Sequence, residues 1–178
     1  LEGVRKVFIG SGIRHDLVLE DGNHGEAYLQ ELVRHHVSGQ LKLAPEHTQP
    51  GVLKLMGKPS INSTLAFKRR YDAINQAAGK KQFLTYYLIA AHPGCNDADM
   101  QALKHFFSEK LALLPEQVQT FTPTPSTYAS LMYYTEMDPF TGAPLFVEKD
   151  LTRKMRQKAI VTGRPKKTFT KPSKPSQR

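Results

Sequence analysis

One cysteine, Cys95, is all that the 178 residues contain. A single thiol excludes an internal disulfide framework. It also excludes a zinc ribbon or an iron–sulfur cluster ligated by this chain alone, since those sites need several thiolates. Long apolar runs are missing as well: none approaches the roughly 18 residues of a membrane span, and the first residues do not read as a signal peptide. A soluble intracellular, cytoplasmic protein is the expectation. Acidic residues are nearly absent from one end. Residues 149–178 carry eleven lysines and arginines against Asp150 alone, a net charge of +10. The other 148 residues balance at −1, so the overall +9 belongs to the C-terminus and not to the globular part.

What is present reads as an α/β protein. Four short segments have strand character: Lys6–Gly10, Gln40–Ala44, Leu84–Ala91 and Gln117–Phe121. The middle two are largely apolar, as strands covered on both faces are. Helical spacing lies between them. Tyr28, Leu32 and Val33 share a face around 26–37. Phe67, Tyr71, Ile74 and Ala78 follow 4-3-4 spacing before Gly79. Met100, Leu103, Phe107 and Leu111 follow a cap at Asn96 or Asp97, and Val147, Leu151, Met155 and Ala159 recur every four residues. Strand–helix alternation with units of about 30–45 residues predicts parallel βαβ units. From Gly163 onward the chain has three prolines, six positive charges and one aromatic, too little apolar surface to offset ordering, and it is expected to be a disordered tail. The tail reads either as a solubilising terminus or as a nucleic-acid or membrane-surface arm making weak, salt-sensitive phosphate contacts.

Parallel units place all strand C-terminal ends on one side, where such folds keep their sites. There the sequence offers Ser11, Gly12, Arg14 and His15; Pro45, Glu46, His47 and Thr48; His92, Pro93, Gly94, Cys95 and Asn96; and Thr122 to Pro125. In Ala91–Asp97 a glycine joins strand to helix, and free N–H groups at that helix start can receive an anion; the alternative is a plain tight turn capped by Asn96. Glu46, His47 and His92 suggest a divalent metal in a barrel hydrolase, although no HxH or HxxxH spacing accompanies them. Cys95 at a helix start can be a nucleophile or a small buried residue. Met132, Tyr133 and Tyr134 read as core, with ligand stacking as a second role for Tyr134.

The blocks KVFIGSGIRHDL (Lys6–Leu17), YLQELVRHHVSGQLKLAPEHT (Tyr28–Thr48), VLKLMGKP (Val52–Pro59), YLIAAHPGCNDADM (Tyr87–Met100) and VQTFTPTPSTYASLMYYTEMDP (Val118–Pro139) resemble radical SAM proteins of the YgiQ type. The resemblance covers about residues 1–160. It implies a partial (β/α) barrel of about four βα units over 1–148, a helical extension over 149–162, and the basic tail over 163–178. It implies S-adenosylmethionine and a 4Fe-4S cluster as cofactors, with an external electron donor and a 5′-deoxyadenosyl radical abstracting hydrogen from a substrate. The family's CxxxCxxC cluster loop is absent here, and the resemblance places it upstream of Leu1; the isolated chain is then a fragment without activity of its own. By the same resemblance, Ser11, Arg14, Lys42, Glu46, Ala91, His92, Pro93 and Gly94 are candidate cofactor contacts, with His47 and Tyr134 facing the substrate. A metal-dependent barrel hydrolase and a non-catalytic remnant or adaptor working through the tail are the alternatives.

Overall fold

Three strands, Gln40–Glu46 (β1), Phe83–Ala90 (β2) and Gln117–Thr120 (β3), form one parallel sheet in the order β1-β2-β3. They belong to a computed structural model that describes residues 2–163. Leu41 and Leu43 lie beside Leu84 and Tyr86, and Leu88 lies beside Val118, so one face of the sheet is apolar and buried. Helices cross between the strands: Pro50–Leu55 (labelled α3) and Ile61–Ala77 (α4) between β1 and β2, and Asp97–Leu111 (α5) between β2 and β3. The sheet is preceded by His15–Glu20 (α1) and by Gly25–Glu31 (α2), which runs into a π-helical turn over Leu32–His36. Tyr128–Thr135 (α6) and Leu151–Thr162 (α7) follow β3.

The expected spacing is realised in α4 and α5. Ser60 caps α4, its side chain accepting from the Asn62 N–H, and Phe67, Tyr71 and Ile74 are buried. Asn96 caps α5 in a reciprocal box with Asp99, and Met100, Leu103 and Phe107 are buried beneath it. Phe107 packs edge-on to Tyr86 of β2 at 5.3 Å between ring centroids. Around α2 the buried face is completed by Leu29, with Leu32 and Val33, and Tyr28 is left exposed.

Four expectations are corrected. Lys6–Gly10 is not a strand. It makes only single backbone bonds, Ile9 N–H to His36 O of the π-helical turn (2.7 Å) and Lys42 N–H of β1 to Gly10 O (2.9 Å), and Val7 and Phe8 are exposed. Isolated bonds on one edge do not make a ladder, so the described residues have three strands where four were expected. The middle strands are not equally covered on both faces either: on the second face Lys42, Thr85, Tyr87 and Ile89 are only partly buried and Gln119 is exposed, and the Tyr87 hydroxyl donates to Gln119 across it. In α7 the stripe Leu151–Met155 is exposed, whereas Lys154, Gln157 and Val161 are buried. A strict four-residue repeat drifts around a 3.6-residue helix, and here polar contacts choose the buried side: Lys154 Nζ lies 3.2 Å from the Tyr133 hydroxyl and 4.4 Å from that ring's centroid. Of Met132, Tyr133 and Tyr134, Met132 is buried, but Tyr134 is 72% exposed. Gly163 ends α7 with a left-handed φ of +62°; the rest of the expected tail lies outside the described residues.

Candidate functional site

β1 and β2 each end in a backbone irregularity. Pro45 cannot donate to the ladder, and the register slips there, with Leu43 beside Tyr86 but Glu46 beside Leu88. Glu46 then takes a left-handed φ of +65°, and Ala91, just past β2, takes +59°. Left-handed backbone at side-chain-bearing residues costs on the order of 1–2 kcal/mol each and collects where function requires it. After β3, Phe121 leads through Pro125 and Ser126 (φ +61°) into α6. Between these ends lies a cleft of about 460 Å³. Glu46 comes to it from β1, Ile89 and His92 from β2, and Phe121 from β3, with Lys54 of α3 and Tyr128 of α6 on the walls. That volume suits a small molecule.

The charges inside it are arranged asymmetrically. Glu46 Oε1 pairs with Lys58 Nζ at 2.9 Å, both partly buried. Lys54 has no carboxylate within 4 Å among the described residues. His92 is buried, and burial lowers its pKa, so the ring is neutral near pH 7. Its Nδ1 lies 2.8 Å from Pro93 O and must be the donor, which leaves Nε2 as an acceptor. Phe121 holds the ring edge-on at 5.2 Å.

Behind the cleft is a buried polar relay. His47 is fully buried; its Nδ1 accepts from the Gln49 N–H (3.1 Å), so Nε2 carries the proton and points at Cys95 Sγ, 3.5 Å away. Burial, with His92 nearby, pushes the His47 pKa down to about 4, and burial pushes the Cys95 thiol up to about 12. Imidazole and thiol are therefore both neutral, the opposite of a nucleophilic thiolate–imidazolium pair. Cys95 is expected to resist iodoacetamide in the folded protein and to react fully in denaturant, as mass spectrometry would read. A second expectation follows from His47. The unfolded chain protonates this histidine near pH 6.5 and the folded chain only near 4, so stability is intact above about pH 6.5 and falls as pH drops toward 4, by about 3 kcal/mol from this group. His15 and His92, also lowered by burial, act with the same sign. Urea unfolding at pH 7 and pH 4.5 checks it, and the difference should shrink in His47→Gln.

The structure thus brings Glu46 and His92 together, with Ala91, Pro93 and Gly94 in the loop beside them. The anion-receiving N–H groups expected at the start of α5 are already used: Asn96 N–H donates to Asp99, and the Ala98 and Asp99 N–H groups donate to Asn96. The tight, self-capped turn is what forms. Gly94 N–H donates to Phe146 O (2.8 Å); its left-handed φ of +84° favours glycine, and a Cβ there would push the Leu55 side-chain tip aside. Arg14 is turned to Asp16, with contacts of 3.0 and 2.5 Å, and this ion pair holds the Asp16 carboxyl down at about 2. Neither Ser11 nor Arg14 lines the cleft; Lys42 stands on the partly buried sheet face, and Tyr134 borders a separate shallow depression with Pro125 and Leu131. His47 faces Cys95 and Gln49, not the cleft. Among the described residues no three His, Cys, Asp or Glu side chains gather as a metal site, and Glu46, His47 and His92 each point to other partners. Sequence reasoning missed Lys54, Tyr128, Phe140 and Gln157. Pro50 after Gln49 was an available sign of the α3 start, since proline suits a first helical turn. Nothing local marks Gln157.

Residues 116–170 match a family described as a domain of unknown function (DUF3362). Over nearly its whole length the chain is similar to UPF0313 proteins. It is 56% identical over 166 residues to one from Fusobacterium nucleatum, which covers 93% of this chain and 29% of that protein. It is 42% identical over 169 residues to one from Clostridium perfringens, covering 95% of this chain and 25% of that protein. A Methanosarcina mazei UPF0313 protein is 45% identical over 161 residues, 90% of this chain and 25% of its own length. The chain therefore spans between a quarter and three tenths of these relatives.

Proposed function

We propose that this chain forms the latter part of a radical S-adenosylmethionine barrel and that its strand-end cleft receives part of the cofactor. The observation that carries the reading is the convergence of three parallel strands, consecutive in space as in sequence, on one cleft holding Glu46 and His92. A sheet with one fully buried apolar face and one only partly buried face is compatible with a barrel wall, its second face turned inward. The sequence blocks described above add the family resemblance.

The residues fit S-adenosylmethionine but not the cluster. Glu46 can accept from ribose hydroxyls or the cofactor amine, His92 Nε2 can accept one further donor, and Lys54 can meet a carboxylate. Tyr128 and Phe121 line the cleft with aromatic side chains. A 4Fe-4S cluster needs three thiolates, and Cys95 is buried and held protonated, so its ligands must come from other polypeptide; the greater length of the UPF0313 relatives leaves room for them. When bound to a reduced cluster, S-adenosylmethionine supplies a 5′-deoxyadenosyl radical that abstracts hydrogen. This chain's share is to bind, orient and exclude water: neutral His92 adds no charge to the wall, and the aromatic side chains keep it apolar.

The test uses the whole Fusobacterium nucleatum relative, reconstituted anaerobically with iron and sulfide. With dithionite and S-adenosylmethionine it should release 5′-deoxyadenosine and methionine. A protein that takes up no cluster and yields neither product would end the radical reading.

A further inference from the structure

The loop that carries His92 is held from the far side of the molecule. Gln157, on α7 and 1% exposed, accepts the Ala91 N–H with Oε1 at 3.0 Å and donates from Nε2 to Cys95 O at 3.3 Å. One amide thus closes the loop at both ends, sixty residues away in sequence. Two neighbours reinforce it: Phe146 O takes the Gly94 N–H, and Arg156 pairs with Asp97, the first residue of α5. Ala91 sits in a left-handed conformation that alanine disfavours, and the structure must hold it there. Its N–H is the one group of that residue tied to a side chain, and Gln157 supplies the tie.

We infer that Gln157 is a positioning residue, which fixes the left-handed turn at Ala91 and so presents His92 to the cleft. This rests on the cleft's being a cofactor site, as proposed above. It also gives the segment that matches the domain of unknown function a definite task. β3, α6 and α7 are not a separate module: they build the cleft wall through Phe121 and Tyr128 and clamp the loop through Phe146 and Gln157. A buried glutamine that uses both ends of its amide on backbone groups is costly to replace by an apolar residue, because those groups are then left without partners.

Two variants of the 178-residue chain test it, with amide exchange followed by NMR and S-adenosylmethionine as the titrant. Gln157→Met keeps the volume and removes both hydrogen bonds. The Ala91 amide should then exchange at least tenfold faster while Leu88, within β2, stays protected, and S-adenosylmethionine affinity should drop at least fivefold. Gln157→Glu keeps an acceptor for Ala91 and should retain most of its protection, so the claim stays testable if the methionine variant does not fold. Unchanged Ala91 exchange in folded Gln157→Met overturns the assignment, as does tenfold faster Ala91 exchange in Gln157→Glu, or faster exchange with unchanged affinity in Gln157→Met. If the unsubstituted chain shows no response to S-adenosylmethionine, the cofactor reading fails, and exchange at Ala91 alone decides whether Gln157 sets the turn.

Discussion

Phe107→Ala is expected to lower the stability of the chain by about 3–5 kcal/mol, the usual loss when a fully buried phenylalanine is truncated. Domains of this size are stable by only about 5–15 kcal/mol, so the loss is about a fifth of the total or more. Phe107 is fully buried on α5 and meets Tyr86 of β2 edge-on, with the Phe106 ring also edge-on at 6.1 Å. Removing the ring leaves a cavity between α5 and the sheet, because Tyr86 is fixed in its strand and cannot collapse into the space. The urea midpoint should fall sharply at an unchanged slope, and Phe107→Leu should recover more than half of the loss. A midpoint shift worth less than about 1 kcal/mol would mean that α5 is not packed on β2 as described.

Glu46→Gly should separate stability from binding. Glycine tolerates a φ of +65° at no steric cost, so the substitution relieves about 1 kcal/mol of backbone strain. It also removes the Glu46–Lys58 ion pair, partly exposed and worth up to about 1 kcal/mol. The two terms nearly cancel, and the melting temperature should move by only a few degrees. Binding should not survive so well. S-adenosylmethionine loses a charged acceptor at the cleft, and hydrogen bonds to charged groups contribute about 1.5–3 kcal/mol, so its dissociation constant should rise at least tenfold. Glu46→Ala should bind as weakly and be less stable than the glycine variant, because alanine keeps the strain. If the glycine variant binds as tightly as the original chain, Glu46 is a structural residue and its left-handed backbone has no functional meaning.

The parts of this fold legible in the sequence are those where a local rule and a tertiary contact agree. Phe67, Tyr71 and Ile74 in α4 and Met100, Leu103 and Phe107 in α5 are spaced for a helix face and are buried on one. Asn96 is a capping residue by type and by geometry. Reading failed where tertiary contacts overrode the local pattern. KVFIG has strand-forming residues, yet strand status needs a ladder, and β1 grants it only one bond, at Lys42. The Leu151–Met155 stripe looked like a core face, but α7 turns toward Tyr133 and the Ala91 loop, so it buries Lys154 and Gln157. The site divides the same way. Glu46 and His92 follow strands directly, and parallel order suffices to bring them together. Arg14 follows a segment that is not a strand, and its nearest carboxylate, Asp16, is two residues away. Gln157 and the walls at Tyr128 and Phe140 depend on how the last third of the chain folds back, which no local spacing announces.

Mapping S-adenosylmethionine onto the amide resonances of the 178-residue chain tests the central claim most directly. The method reads weak binding residue by residue, so it needs neither cluster nor turnover. The account predicts saturable shifts at Glu46, Ile89, Ala91, His92 and Phe121, with α1 and the solvent face of α4 unmoved. Shifts confined to other surfaces, or none at millimolar ligand, would contradict it and leave the strand-end cleft without its proposed occupant.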